Sequence, residues 1–219
     1  MSAEEEVFQS LLAGDLDRLQ MLLSEQPSLA QARNADDISL VMLARYRGRM
    51  DALRVILAAD PPLDVFEAAA IGDDRRLSDL LATEPDRANA FAADGFPVLG
   101  LAVFFGHVEC ARLLLEHGAD VNATARNAMA VQPLHSAVAA NDVASTRLLL
   151  ERGADVTARQ RDGFTPLHEA AQNGNLAIVD MLLARGASVA DRLDDGRTPI
   201  DLARVHGQEA VLDRLVSRT

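Results

Sequence analysis

Cys110 is the one cysteine among 219 residues, and the five histidines stand at positions 107, 117, 135, 168 and 206. These are the side chains that could supply a nucleophile, a general base or a soft metal ligand. A single thiol permits no internal disulfide and no thiolate metal cluster. Cys110 lies in the run Val108, Cys110, Ala111, Leu113, Leu114, the apolar face of a helix. A reactive thiol needs exposure and nearby positive charge, so core filling is its expected role. His107, His117 and His206 are scattered, with no i, i+4 spacing of the metal-binding kind. Ser136 follows His135 directly, but adjacent helix residues do not face one another. The pairs Asp36-Asp37, Asp73-Asp74 and Asp194-Asp195 fall at expected turns, where aspartate is common for local hydrogen-bonding reasons. Neither GxGxxG nor GxxxxGK followed by Ser or Thr occurs, so no glycine loop cradles a phosphate. A nucleophile, base and orienting acid that could converge in one cleft are missing. No catalytic, cofactor or metal site is expected, and the chain reads as a non-enzyme.

The elements that would have to position any such chemistry are short and repeated. Nearly half the residues are apolar, 49%, too rich for disorder and ordinary for a folded protein. The longest apolar runs, such as Val98 to Phe105, fall far short of a membrane span of about 20 residues. The start, Met-Ser-Ala-Glu-Glu-Glu, lacks the basic and apolar regions of a secretory signal, so a cytoplasmic location is expected. The net charge of −12 repels nucleic acid and anionic membranes. Residues 1–110 carry 19 acids and 9 arginines, net −10, against net −2 for the remainder. That imbalance serves solubility and would draw a basic partner at long range. All 21 basic residues are arginine, as codon bias in a GC-rich bacterial genome would produce.

Three segments align at once: Gln132-Pro133-Leu134-His135-Ser136-Ala137, Thr165-Pro166-Leu167-His168-Glu169-Ala170, and Thr198-Pro199-Ile200-Asp201-Leu202-Ala203. Their prolines are 33 residues apart from 166 to 199 and from 133 to 166. Between them recur Gly118-Ala119-Asp120-Val121-Asn122, Gly153-Ala154-Asp155-Val156-Thr157 and Gly186-Ala187-Ser188-Val189-Ala190. The residues explain the unit. Thr165 suits an N-cap and Pro166 the first helical position, where a missing N–H costs nothing. Asn173-Gly174 turns the chain into a second amphipathic helix from Leu176 to Ala184, which Gly186 ends as a left-handed cap. Asp162-Gly163 then offers a tight hairpin turn. Motifs and period together closely resemble the ankyrin family over about the last 125 residues.

The first half is more degenerate but repeats itself: Val7 through Leu57 aligns with Val65 through Leu115 at a spacing of 58 residues. Turn positions fall at Gly14, Gly48, Gly72, Gly106, Asn141, Gly174 and Gly207, which makes seven helix pairs. The expected fold is therefore all-α, an ankyrin-repeat solenoid of about seven stacked helix pairs with short β-hairpin-type finger loops. It is read as one domain over 1–219. Degenerate repeats cover 1–92, with the 58-residue duplication extending to about residue 122. Well-formed repeats cover 93–192, and a capping repeat covers 193–219. The step from Gly48 to Gly72 is only 24 residues. Ala59-Asp60-Pro61-Pro62 leaves no room for a finger there, so a gap in the finger row, and a bend, are expected.

The resemblance implies function as well. Members of this family bind other proteins through a concave face made of finger tips and first helices. Their motif histidine, here His135 and His168, makes structural hydrogen bonds. Carried over by position, the partner-binding set is Tyr46, Arg47, Phe96, Phe104, Phe105, Met129, Val131, Arg161, Phe164 and Arg197. Five of the chain's eight aromatics lie in it, at places where the family pattern tolerates polar residues. An exposed apolar cluster rimmed by charge marks a protein contact, and aromatics and arginine dominate binding energy. The competing expectation is that Phe96 and Phe164 fold onto adjacent fingers and that Phe104 and Phe105 are half-buried. The chain is thus read as a protein-binding module without cofactor, a monomer with weak self-association possible through its phenylalanines. The alternative is a dedicated regulatory or inhibitory subunit of one enzyme encoded nearby.

Overall fold

A computed structural model describes residues 2–218. Its fourteen α-helices form seven pairs. The pairs are α1 (Ala3–Ala13) with α2 (Leu16–Glu25), α3 (Leu40–Tyr46) with α4 (Met50–Leu57), and α5 (Val65–Ile71) with α6 (Asp74–Thr83). Then come α7 (Val98–Phe104) with α8 (Val108–Glu116), α9 (Pro133–Ala139) with α10 (Val143–Glu151), α11 (Pro166–Asn173) with α12 (Leu176–Ala184), and α13 (Pro199–Val205) with α14 (Glu209–Val216). Each pair turns on a residue with positive φ: Gly14, Gly48, Gly72, Gly106, Asn141, Gly174 and Gly207. Helix starts follow local chemistry. Thr165 with His168, and Thr198 with Asp201, form reciprocal caps around Pro166 and Pro199; the prolines stand where an unsatisfied N–H would otherwise be. Helices this short are marginal alone. Their apolar faces are buried only by stacking, first helix on first helix and second on second, the arrangement of a solenoid.

The fingers are tight turns rather than extended ribbons. Among the described residues no strand forms, and only Arg33 with Ser39 and Phe91 with Pro97 make isolated bridges. Asp162 and Gly163 both take positive φ, 62° and 78°. From the fourth pair onward, successive fingers are joined by backbone hydrogen bonds. Arg126 N–H donates to Gly95 O (2.7 Å), Arg161 N–H to Met129 O (3.0 Å), and Asp194 N–H to Asp162 O (3.1 Å). Asparagines tie the second-helix ends together in the same way. Asn89 Nδ2 donates to Gly118 O (2.9 Å) while its Oδ1 accepts from Asp120 N–H (2.8 Å), and Asn122 Oδ1 accepts from Asp155 N–H (2.9 Å).

Between the second and third pairs this pattern stops. Residues 58–64 run from α4 to α5 without a finger. The buried side chains divide here into two clusters, one from Val7 to Leu63 and one from Val65 to Leu215. A small group, Met42, Ala70 and Leu101, lies across the divide. Side chains span it instead of backbone. Arg33 Nη2 donates to Asp64 Oδ2 (2.8 Å), Arg45 Nε to Ala70 O (2.8 Å), and the Tyr46 hydroxyl to Asp94. On either side, elements recur at an offset of 58: α2 and α6, the 3-10 turns Pro27–Gln31 and Pro85–Asn89, α3 and α7, and the two isolated bridges.

Candidate functional site

The finger-side face carries an apolar groove of about 400 Å3. Its walls come from three consecutive first helices and three fingers. α7 supplies Gly100, Leu101 and Phe104; α9 supplies His135, Ser136 and Ala139; α11 supplies Glu169; the fingers supply Phe96, Met129, Val131 and Gln160; and Tyr46 closes one end. Gly100 stands in the register that His135 and His168 occupy in the next two repeats, so α7 presents no imidazole there. Pro97 precedes α7 without any side-chain cap. Phe104 at 49% exposed and Met129 at 40% are unusually open for their size, and both border the groove. Apolar side chains held open in one concave place mark a contact surface, whereas single exposed ones do not.

Phe105 sits beside the groove rather than in it. It packs edge-on against Phe104 at 5.1 Å, is tilted against Tyr46 at 5.9 Å, and carries the Arg45 guanidinium 4.2 Å above its ring. This arrangement holds Phe104 outward. Burial and the Asp94 carboxylate push the Tyr46 phenol far above its usual range, so it stays a neutral donor. Glu169 is the groove's one lining carboxylate; its removal from water raises its pKa against the opposing hydrogen bond of Asn173.

Of the ten residues expected to bind, Tyr46, Phe96, Phe104, Met129 and Val131 are brought together and Phe105 adjoins them. Val131 differs from the expectation of an exposed contact: it is 8% exposed, part of the groove floor. Phe164 is half-buried against the His168 ring at 5.9 Å, because the finger turn folds it back onto its own helix start. Arg47 is exposed at the end of α3, outside the groove. Arg161 and Arg197 are exposed but engaged with their neighbours Asp162 (3.3 Å) and Asp195 (2.7 Å); such exposed pairs are weak and separable. The lining residues not anticipated there include Gly100, Leu101, Ser136, Gln160 and Glu169, and His135, expected to be structural, lines the groove as well. A signal existed: Leu101 precedes the expected contact Phe104 by three positions, which places it on the same helix face, and Ser136 and Glu169 hold the matching register of α9 and α11.

The other chemistry-bearing residues are structural. Cys110 is buried, and burial with nearby Asp74, Asp73 and Glu109 pushes its thiol up to about 11. His135 accepts from Gln132 N–H at Nδ1 (3.3 Å) and bonds Ala158 O through Nε2 (3.1 Å). His168 Nδ1 joins the Thr165 N–H (3.3 Å) and hydroxyl (2.8 Å). Burial lowers both histidines' pKa. Among the described residues no group of three or more His, Cys, Asp or Glu is arranged to hold a metal ion, and no helix is long and apolar enough to cross a membrane.

Stacked helix pairs, Pro-started first helices and turn-shaped fingers define a class: helical repeat proteins that present a surface to a partner. Residues 134–183 match ankyrin repeats in many copies and residues 94–126 match the ankyrin repeat. Ankyrin repeat domain-containing protein 13C of zebrafish (Danio rerio) is 41% identical over 85 residues, 38% of this chain. The match spans only 16% of that relative. Residues 94–126 and 134–183 of this chain are thus similar to ankyrin repeats, and such repeats are modules of protein–protein interaction.

Proposed function

We propose that the protein binds a partner protein through the finger-side groove, with no reaction chemistry of its own. The observation that supports this reading is Phe104 and Met129 held open over one apolar hollow by the packing of Phe105, Tyr46 and Arg45. A rigid stack of repeats loses little ordering entropy when a partner docks. The partner's contact is an apolar side chain or helix face with polar or basic flanks, since the groove is apolar and the chain carries −12 overall. That charge disfavours nucleic acid and anionic membrane as the bound surface.

The test is affinity capture from the native cell with mass spectrometry, run in parallel with Phe104→Ala combined with Met129→Ala. Buried aromatic anchors of an interface cost on the order of 2 kcal/mol or more when truncated. Recovery of the specific partner should therefore fall about tenfold or more, with far-UV circular dichroism unchanged. Undiminished recovery on a folded double variant removes the groove from the binding surface.

A further inference from the structure

The break in the finger row is itself a built site. Where the finger between the second and third pairs is missing, a notch of about 300 Å3 opens between the first finger and the Phe91–Pro97 finger. Tyr46, hydrogen-bonded to Asp94, is the wall between this notch and the groove, and lines both.

The notch keeps the polar groups that a finger would use. In the last two fingers the second residue of the turn donates its N–H to the finger before it: Arg161 to Met129 and Asp194 to Asp162. Ala93 stands in that register, second in the turn closed by Gly95 N–H to Ala92 O (2.8 Å). Its N–H makes no hydrogen bond among the described residues, and it lines the notch. Across the opening, Asp36 O holds the register of Asp162 O and likewise accepts none. Asp37 O is taken by Arg33 of its own finger (2.9 Å). The lining carries Asp37, Asp64 and Asp94 against Arg33 alone, within the half of the chain that holds most of the net negative charge. Asp64 and Asp94 already have partners, whereas Asp37 only approaches Arg33 at 3.8 Å.

We infer that a partner protein supplies the missing finger: a tight turn bearing an arginine or lysine inserts into the notch, its carbonyl accepting from Ala93 N–H and its cation meeting Asp37. The chemistry is that of strand addition at an exposed edge, where backbone hydrogen bonds give affinity and side-chain pockets give selectivity. Phe66, Phe91 and Tyr46 supply the apolar walls. This site is distinct from the groove, and the two can fail separately.

The chain's own regular finger is the probe. A disulfide-closed peptide carrying the sequence Gln160-Arg161-Asp162-Gly163-Phe164-Thr165 is titrated into the full chain, followed by amide NMR. The Ala93 and Asp37 amides should shift saturably, and the peptide with Arg161→Glu should bind at least about tenfold more weakly. Ala93→Pro removes the edge donor at a turn position that proline suits, so the protein should stay folded. It should bind the peptide about fivefold more weakly, the worth of one net hydrogen bond. Ala93→Ser, which keeps the N–H, should bind as the parent does, and so should Phe104→Ala. No shift at Ala93, equal binding by Ala93→Pro, or self-association that occupies the notch with a second copy would overturn the inference.

Discussion

The joint between the second and third pairs and the joints from the fourth pair onward do the same task with different materials. The regular joints use main chain: finger bonded to finger, with Asn89 and Asn122 bridging below. Any sequence that forms the turns makes the finger bonds, and side chains such as Asn89 and Asn122 add to a frame the main chain already supplies. The irregular joint uses three named side chains, Arg33, Arg45 and Tyr46. Arg45 carries most of it. One guanidinium donates to Ala70 O, covers the Phe105 ring and approaches His107 Nε2 at 3.4 Å. Lysine, a point charge on a flexible stem, could not serve these planar contacts together. Backbone stitching is thus tolerant of substitution, and side-chain stitching is concentrated in a few residues.

The sharpest way to break this contrast is at two turn glycines. Gly72 and Gly106 have nearly the same φ, 80° and 78°. A Cβ at Gly106 would meet nothing within 4 Å, but one at Gly72 would lie 2.7 Å from His107 Cε1. Gly106→Ala should cost about 1 kcal/mol, the left-handed strain alone. Gly72→Ala should cost about 3 kcal/mol, because the imidazole must also leave its bond to Ala70 O. Urea denaturation compares the two, and His107→Ala should recover part of the Gly72→Ala loss but none of the Gly106→Ala loss.

Next in size is Arg45→Met, which keeps the stem and removes the guanidinium. Loss of a charged hydrogen bond and of the ring contact should destabilise by about 2 kcal/mol. Hydrogen exchange should rise at the joint, in α3 and α5, more than in α9 to α13. By contrast Arg197→Ala removes only an exposed pair within one finger and should leave the urea midpoint essentially unchanged.

The smallest effect sharpens the role of one position. Arg49, His107 and Gln208 each stand at the N-cap of a second helix and reach back to the preceding first helix, at Leu11 O (3.1 Å), Ala70 O (3.1 Å) and Gln172 O (3.1 Å). Of the three only His107 is an imidazole, whose ordinary pKa of 6.5 lies near neutrality. Burial and the neighbouring Arg45 lower its pKa from 6.5, against the opposing bond to Ala70 O. A base whose folded pKa is depressed contributes stability that is present above its unfolded value and is lost as pH falls below it. His107→Gln should retain the bond to Ala70 O and lose less melting temperature than the parent between about pH 7 and about pH 5. His135 and His168, lowered by burial, give both proteins a residual slope of the same sign. Parallel curves for the two proteins would show that His107 does not sense pH.

What could be read beforehand was local. Positive-φ turns are written in Gly, Asn and Asp; helix starts in Thr-Pro; and the missing finger in the short step from Gly48 to Gly72. Cys110 and the motif histidines follow from apolar period and register. Contacts across many residues were not legible. Tyr46 and Asp94 lie 48 positions apart and Arg45 and His107 62, and no periodicity encodes where their tips meet. The groove was half legible for the same reason. Its aromatics stand out by type, but Gly100 matters through the absence of a side chain, and Val131 and Phe164 turn inward through finger geometry that composition does not carry.

Tyr46 belongs to the part of the molecule whose buried cluster ends at Leu63, and Phe104 to the part whose cluster begins at Val65. A molecule lodged between those two rings braces both blocks at once. Whatever prefers the closed stack over a parted one adds to its stability by mass action, about 2.7 kcal/mol at a hundredfold excess over the dissociation constant. The seam without a finger would thereby be coupled to occupancy, and a loaded protein would resist fraying there in proportion to how much ligand surrounds it.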